Sequence, residues 1–132
     1  MLDYLRTTLH SFMNQYQAVM WRLRECSLND EQLAAAIGVS SGVIRNRRSK
    51  PQSWKQVDID RLAALFAMSN TASQQLTNTL VELSQQVAAL PSAERRRIER
   101  TLQFKASQLS EYNGSGWTIQ YLLRMHQGLS RS

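Results

Sequence analysis

Arg45 and Asn46 stand side by side in a segment that also carries Ser41, Arg48 and, just beyond, Lys50. An arginine fork can give two N–H groups to one guanine edge, and a carboxamide can pair both ways with adenine. Arg45, Arg47, Arg48, Lys50 and Lys55 cluster here, and a cluster of cations suits a polyanion. Hydrogen-bonding tips flanked by positive charge, carried on a short helix, fit the major groove of double-stranded DNA. The whole chain leans the same way, with a formal net charge of +6 over 132 residues. A second basic run, Arg95, Arg96, Arg97 and Arg100, lies later in the chain. It reads either as an extension of the same footprint or as charged surface that keeps helices soluble.

Other chemistries find little support. His10 and His126 are far apart in sequence, and neither sits in a metal-ligand spacing such as HExxH. Each is expected on a helix surface, so no metal site is expected. The single cysteine, Cys26, excludes an intrachain disulfide and reads as a small buried filler. Asp58 and Asp60 sit where a helix should begin, and carboxylates there favour the helix dipole rather than acid–base catalysis. There is no phosphate-binding glycine loop. The expectation is a non-enzymatic protein with no catalytic residues and no cofactor.

The elements that must position the basic segment are legible over residues 29–50. Asn29 followed by Gln32 has capping-box spacing. Leu33 and Ile37 fall one helical turn apart, so one face is apolar. Ala34 is small enough to let a second helix approach. Gly38 stands where a left-handed residue should end the first helix. Val39 fills the core behind the turn, Ser40 can cap the second helix, and Ile44 anchors it inward. Two short helices joined by a tight turn are therefore predicted, with the polar residues of the second facing outward.

This stretch resembles the helix-turn-helix of the lambda-repressor/Cro-like (XRE-like) DNA-binding domains. Leu33, Ala34, Ile37, Gly38, Val39 and Ile44 match that family's pattern of apolar, small, apolar, glycine, apolar and β-branched positions. Residues 18–28 look like its first helix, and residues 57–68, with Ile59, Leu62, Ala63 and Phe66 on one face, look like its fourth. The likeness covers about residues 16–69. It implies a recognition helix of about 41–48, with Ser41, Gly42, Arg45 and Asn46 at base edges. It further implies Ser40, Arg47, Arg48, Ser49 and Lys50 at phosphates, with Lys55 as a further phosphate contact. Two positions depart from the pattern. Arg47 replaces a usual apolar residue, so either its stem runs along the core with the guanidinium outside, or the helix is tilted. Trp54 could fill the missing volume. Gly42 inside a helix costs roughly 1 kcal/mol relative to alanine, which reads either as close approach of backbone to DNA or as a tolerated small residue.

The rest of the chain reads as helical, giving an all-α fold with no alternating β pattern. Leu2, Leu5, Leu9, Phe12, Tyr16, Val19 and Leu23 form an a/d-type stripe over about three heptads. Ser69, Asn70 and Thr71 mark a break. Leu76, Leu80, Leu83, Val87 and Leu90 make a second stripe, stopped by Pro91, with Ser92 as a candidate cap. Residues 93–112 carry Ile98, Leu102, Leu109 and Tyr112, interrupted by Lys105. A loop is expected at residues 113–116, and a last helix is expected through Trp117, Tyr121, Leu122, Met125 and Leu129.

These features suggest two units, a DNA-binding domain with an N-terminal helical extension (1–69) and a C-terminal helical region (70–132). The C-terminal stripes can pack within one chain or pair with a second copy. A homodimer is expected, through Leu76, Leu80, Leu83 and Val87, because two copies would read a palindrome with half-sites about one DNA turn apart. No signal-peptide pattern and no membrane-length apolar stretch appear, so a cytoplasmic protein without membrane contact is expected. The functional expectation is a sequence-specific transcriptional regulator, such as a repressor. The alternative is a helical protein-interaction or adaptor module of phage or plasmid type, which keeps the fold without reading bases and takes a protein partner through its C-terminal helices.

Overall fold

The computed structural model describes residues 2–103 and 117–130, all helical apart from connecting segments and one isolated β-bridge. Seven α-helices are present among the described residues: α1 Leu2–Glu25, α2 Asp30–Ile37, α3 Ser41–Ser49, α4 Gln56–Leu65, α5 Thr71–Ala88, α6 Ser92–Leu102 and α7 Ile119–Ser130. A 3-10 turn, Pro51–Ser53, joins α3 to α4. The expected positions Lys105, Leu109 and Tyr112 and the loop at 113–116 lie outside the described residues.

The first helix is the spine. Its 24 residues make a rod of about 36 Å at 1.5 Å per residue. Leu5, Leu9, Phe12, Tyr16, Val19 and Leu23 are all buried, with Leu2 half-buried at the end. The three-four spacing thus laid one continuous stripe along the rod. Against it pack α5, α7 and α4.

This packing bears on the expected dimer surface and on the expected boundary near residue 69. Leu76, Leu80, Leu83 and Val87 are not a free dimer surface, because they are already enclosed within a single chain. The stripe on α5 finds its apolar partner in α1. Nor does residue 69 divide the core, because buried residues from both sides of it belong to one cluster. The helix α7 is also stitched to the segment before α4. Ile119 N donates to Trp54 O at 2.8 Å and Gln56 N donates to Trp117 O at 3.0 Å. Side chains add to the joint. Gln56 is fully buried, and its Nε2 donates to Ser73 Oγ at 3.0 Å and to Thr77 Oγ1 at 2.9 Å. Burying an amide is tolerable only with such partners.

Smaller details also differ from expectation. Ser92 is the first residue of α6, and Pro91 stands at the cap position with no side-chain cap bond. Tyr121 is exposed, with the Arg124 guanidinium 5.7 Å from its ring centre. His10 and His126, remote in sequence, stack at 6.0 Å between α1 and α7. Burial lowers the His126 pKa, and the neighbouring His10 lowers it further. The folded chain therefore favours neutral His126. Its contribution to stability is full above the ordinary value of 6.5 and is lost as pH falls below that value.

Two measurements test this packing. The α6–α7 crossing depends on Gly128, where an added Cβ would collide with the Thr101 carbonyl oxygen. Gly128→Ala is expected to destabilise the chain by about 1–3 kcal/mol despite alanine's better helix propensity, read by urea denaturation. Between pH 7.5 and 5.5 the melting temperature is expected to fall. The fall should be smaller in His10→Asn, which removes the neighbouring charge; identical pH profiles would remove the histidine pair as the cause.

Candidate nucleic-acid interface

Local chemistry fixes α2 and its turn as the sequence predicts. Asn29 Oδ1 accepts from Gln32 N at 2.8 Å, and Gln32 Oε1 accepts from Asn29 N at 2.9 Å. These two bonds satisfy amide groups that a helix start leaves free. At the other end Gly38 adopts φ 76°, and its N–H bonds the Ala34 carbonyl. A side chain would be strained there. The Arg61 guanidinium adds a bond to the Ile37 carbonyl at 3.0 Å, a second cap that sequence reasoning did not find. Ser40 then starts α3, its Oγ accepting from Val43 N at 3.3 Å.

Ile44 is fully buried and pins α3 to the core. Gly42, Arg45, Asn46 and Ser49 consequently share the exposed side, at helical spacings of three and four. Ser41 is half-buried at the start of the helix, and Ser40 is exposed just before it. The Arg45 side chain is 78% exposed. A Cβ at Gly42 would meet nothing closer than Ser40 Oγ at 3.9 Å, an ordinary van der Waals contact, so no neighbour crowds that position. The main packing neighbours of α3 are α2 and the 3-10 turn, not the C-terminal helices.

The expected phosphate contacts divide into two groups. Ser49 and Lys50 are exposed at the end of α3, whereas Lys55 is half-buried. Arg47 turns inward. Its side chain is only 16% exposed, donates to Ser53 O at 2.6 Å and lies 3.6 Å from Asp58 Oδ2. Asp58 Oδ2 also accepts from Lys55 N at 3.1 Å, so the carboxylate caps α4 and holds Arg47 at once. Trp54, the residue after Ser53, is fully buried. Arg47 is thus a structural brace in this fold, which removes it from the set of available phosphate contacts.

Arg48 occupies a middle position. Its guanidinium donates to Leu28 O at 3.1 Å and pairs with Asp30 at 3.2 Å, while Arg45 lies 3.9 Å from the same carboxylate. Such exposed pairs are weak and salt-sensitive, so a phosphate could compete for either cation. Asp30 was not anticipated as part of this surface. Its proximity in sequence to α3 gave no sign that the turn would fold it beneath two arginines.

Comparison with family models, with curated protein sequences and with solved structures finds no match. No helix among the described residues is long and apolar enough to cross a membrane. The described residues also contain no group of three or more histidine, cysteine or acidic side chains placed to hold a metal ion.

Replacing Arg47 by alanine would leave the nearly buried Asp58 carboxylate without its cation. That change should cost at least about 2 kcal/mol of stability, measured by chemical denaturation. Where the variant is still folded, the salt dependence of any polyanion binding should match that of the parent.

Proposed function

We propose that the chain is a non-enzymatic, sequence-reading DNA-binding protein of helix-turn-helix type, acting in transcriptional regulation. The observation that carries this reading is the outward face of α3. Arg45 and Asn46 project from a helix whose apolar side is anchored by Ile44, and the exposed Gly42 beside them carries no side chain. Arginine can pair with guanine and asparagine with adenine in the major groove. Gly42 permits close approach of the helix to the bases. Ser40, Ser49, Lys50 and Arg48 are the phosphate contacts in this reading, with Arg48 exchanging Asp30 for the DNA backbone. Neutralised phosphates would make binding fall with salt.

A single short helix reads few base pairs, so a two-copy arrangement would double the site. Pairing of copies then falls to a surface other than the α5 stripe, which is enclosed in the core. The alternative reading, a protein-interaction module without base readout, draws on Asp30, whose carboxylate lies beside the arginines that DNA would need.

Selection from a random duplex pool, at low and moderate salt, separates these readings. A defined enriched sequence is expected, and a palindrome would indicate two copies. The double variant Arg45→Ala, Asn46→Ala should lose that sequence preference. Each well-formed base contact carries about 1–3 kcal/mol of discrimination, so a loss of at least tenfold in specific over non-specific affinity is expected. Preserved preference in the double variant would sink the base-reading assignment, and binding without enrichment would leave only a basic surface.

A further inference from the structure

A cavity of about 680 Å³ opens between the second half of α1, the 3-10 turn and the start of α7. Nothing in the sequence pointed to it. Its size is within the range of small-molecule sites. The wall is largely apolar, with Met13, Met20, Trp54 and Leu123 among its residues. Along α1 it runs from Met13 to Arg24, a span of about 16 Å at 1.5 Å per residue. Polarity changes along that span. Arg24 and Arg48 both border the cavity near the C-terminal end of α1, beside Cys26, and no carboxylate side chain among the described residues lines it. Arg24 is exposed and makes no ion pair among the described residues. Trp54 is fully buried, and its indole N–H has no hydrogen-bond partner among the described residues. Buried indole N–H groups usually find one.

We propose that this cavity binds a small amphiphilic carboxylate, an apolar chain or ring system ending in one anionic group. The apolar body lies along the methionine-rich wall, whose unbranched side chains adapt to irregular shapes. The carboxylate lies at the Arg24 and Arg48 end, where guanidinium forks suit it. A neutral amphiphile of the same length would gain the apolar contact and lose the ion pair. Arg48 also holds Asp30 at the foot of α2. A carboxylate on Arg48 would therefore loosen a contact between α2 and α3. That consequence for DNA rests on the function proposed above; the binding site itself does not.

Cys26 supplies a direct readout, because it is the chain's one cysteine, is free and borders the cavity. The rate of its alkylation by iodoacetamide would be measured with increasing decanoate, with decanol and with decyltrimethylammonium. Decanoate should slow the reaction saturably and raise the melting temperature, and the other two should act at least tenfold more weakly. Arg24→Ala removes an exposed side chain and should raise the decanoate concentration needed by at least tenfold. Leu123→Trp, which fills the wall, should abolish protection. Equal protection by decanol, unchanged behaviour of Arg24→Ala, or no protection at all would each overturn the proposal. DNA binding enters none of these measurements, so loss of the DNA reading would leave them intact.

Discussion

Trp54 is fully buried, and the backbone groups beside it are bonded to the start of α7. This joint holds the fold together as a unit. It buries one of the largest side chains, so its apolar contribution is large. It also satisfies backbone groups that a buried connection would otherwise leave unpaired. From it, Gln56 reaches α5 through Ser73 and Thr77, while Ser73 N donates to Gln15 on α1. A connection of a few residues thus ties α1, α4, α5 and α7 together.

The presentation of α3 follows from that joint. Arg47 leaves the exposed face to bond Ser53 O and to approach Asp58. Its side chain is mostly covered and its cation meets a carboxylate, so the charge is paired where it is buried. With Ile44 and Arg47 inward, Arg45 and Asn46 have no alternative but the outer side. The basic cluster is therefore not one surface. Part of it braces the fold, part is held by Asp30, and part is free to meet a partner.

The same long spine creates the cavity. On α1 the residues facing α5 are covered along the helix, but around Met13, Met20 and Arg24 the covering elements leave space between the 3-10 turn and α7. The His10–His126 stack lies on this same α1–α7 pairing. Protonation there acts on packing between the spine and the last helix rather than on the exposed face of α3.

The sequence by itself determined what depends on near neighbours. The Asn29–Gln32 capping box, the left-handed Gly38, the Ser40 cap and the buried stripe of α1 are all set by residues within a turn or two of one another. Periodicity told which face of α5 was apolar, yet it carried no information about what would cover that face. Only the tertiary structure decided that α1 does so, which took Leu76, Leu80, Leu83 and Val87 out of a dimer surface. It likewise decided the partner of Arg47, the meeting of His10 with His126, the position of Asp30 under two arginines, and the opening beside Trp54. Each of these joins groups whose approach is set by how helices cross, and a helical pattern is the same for every crossing partner that can bury it.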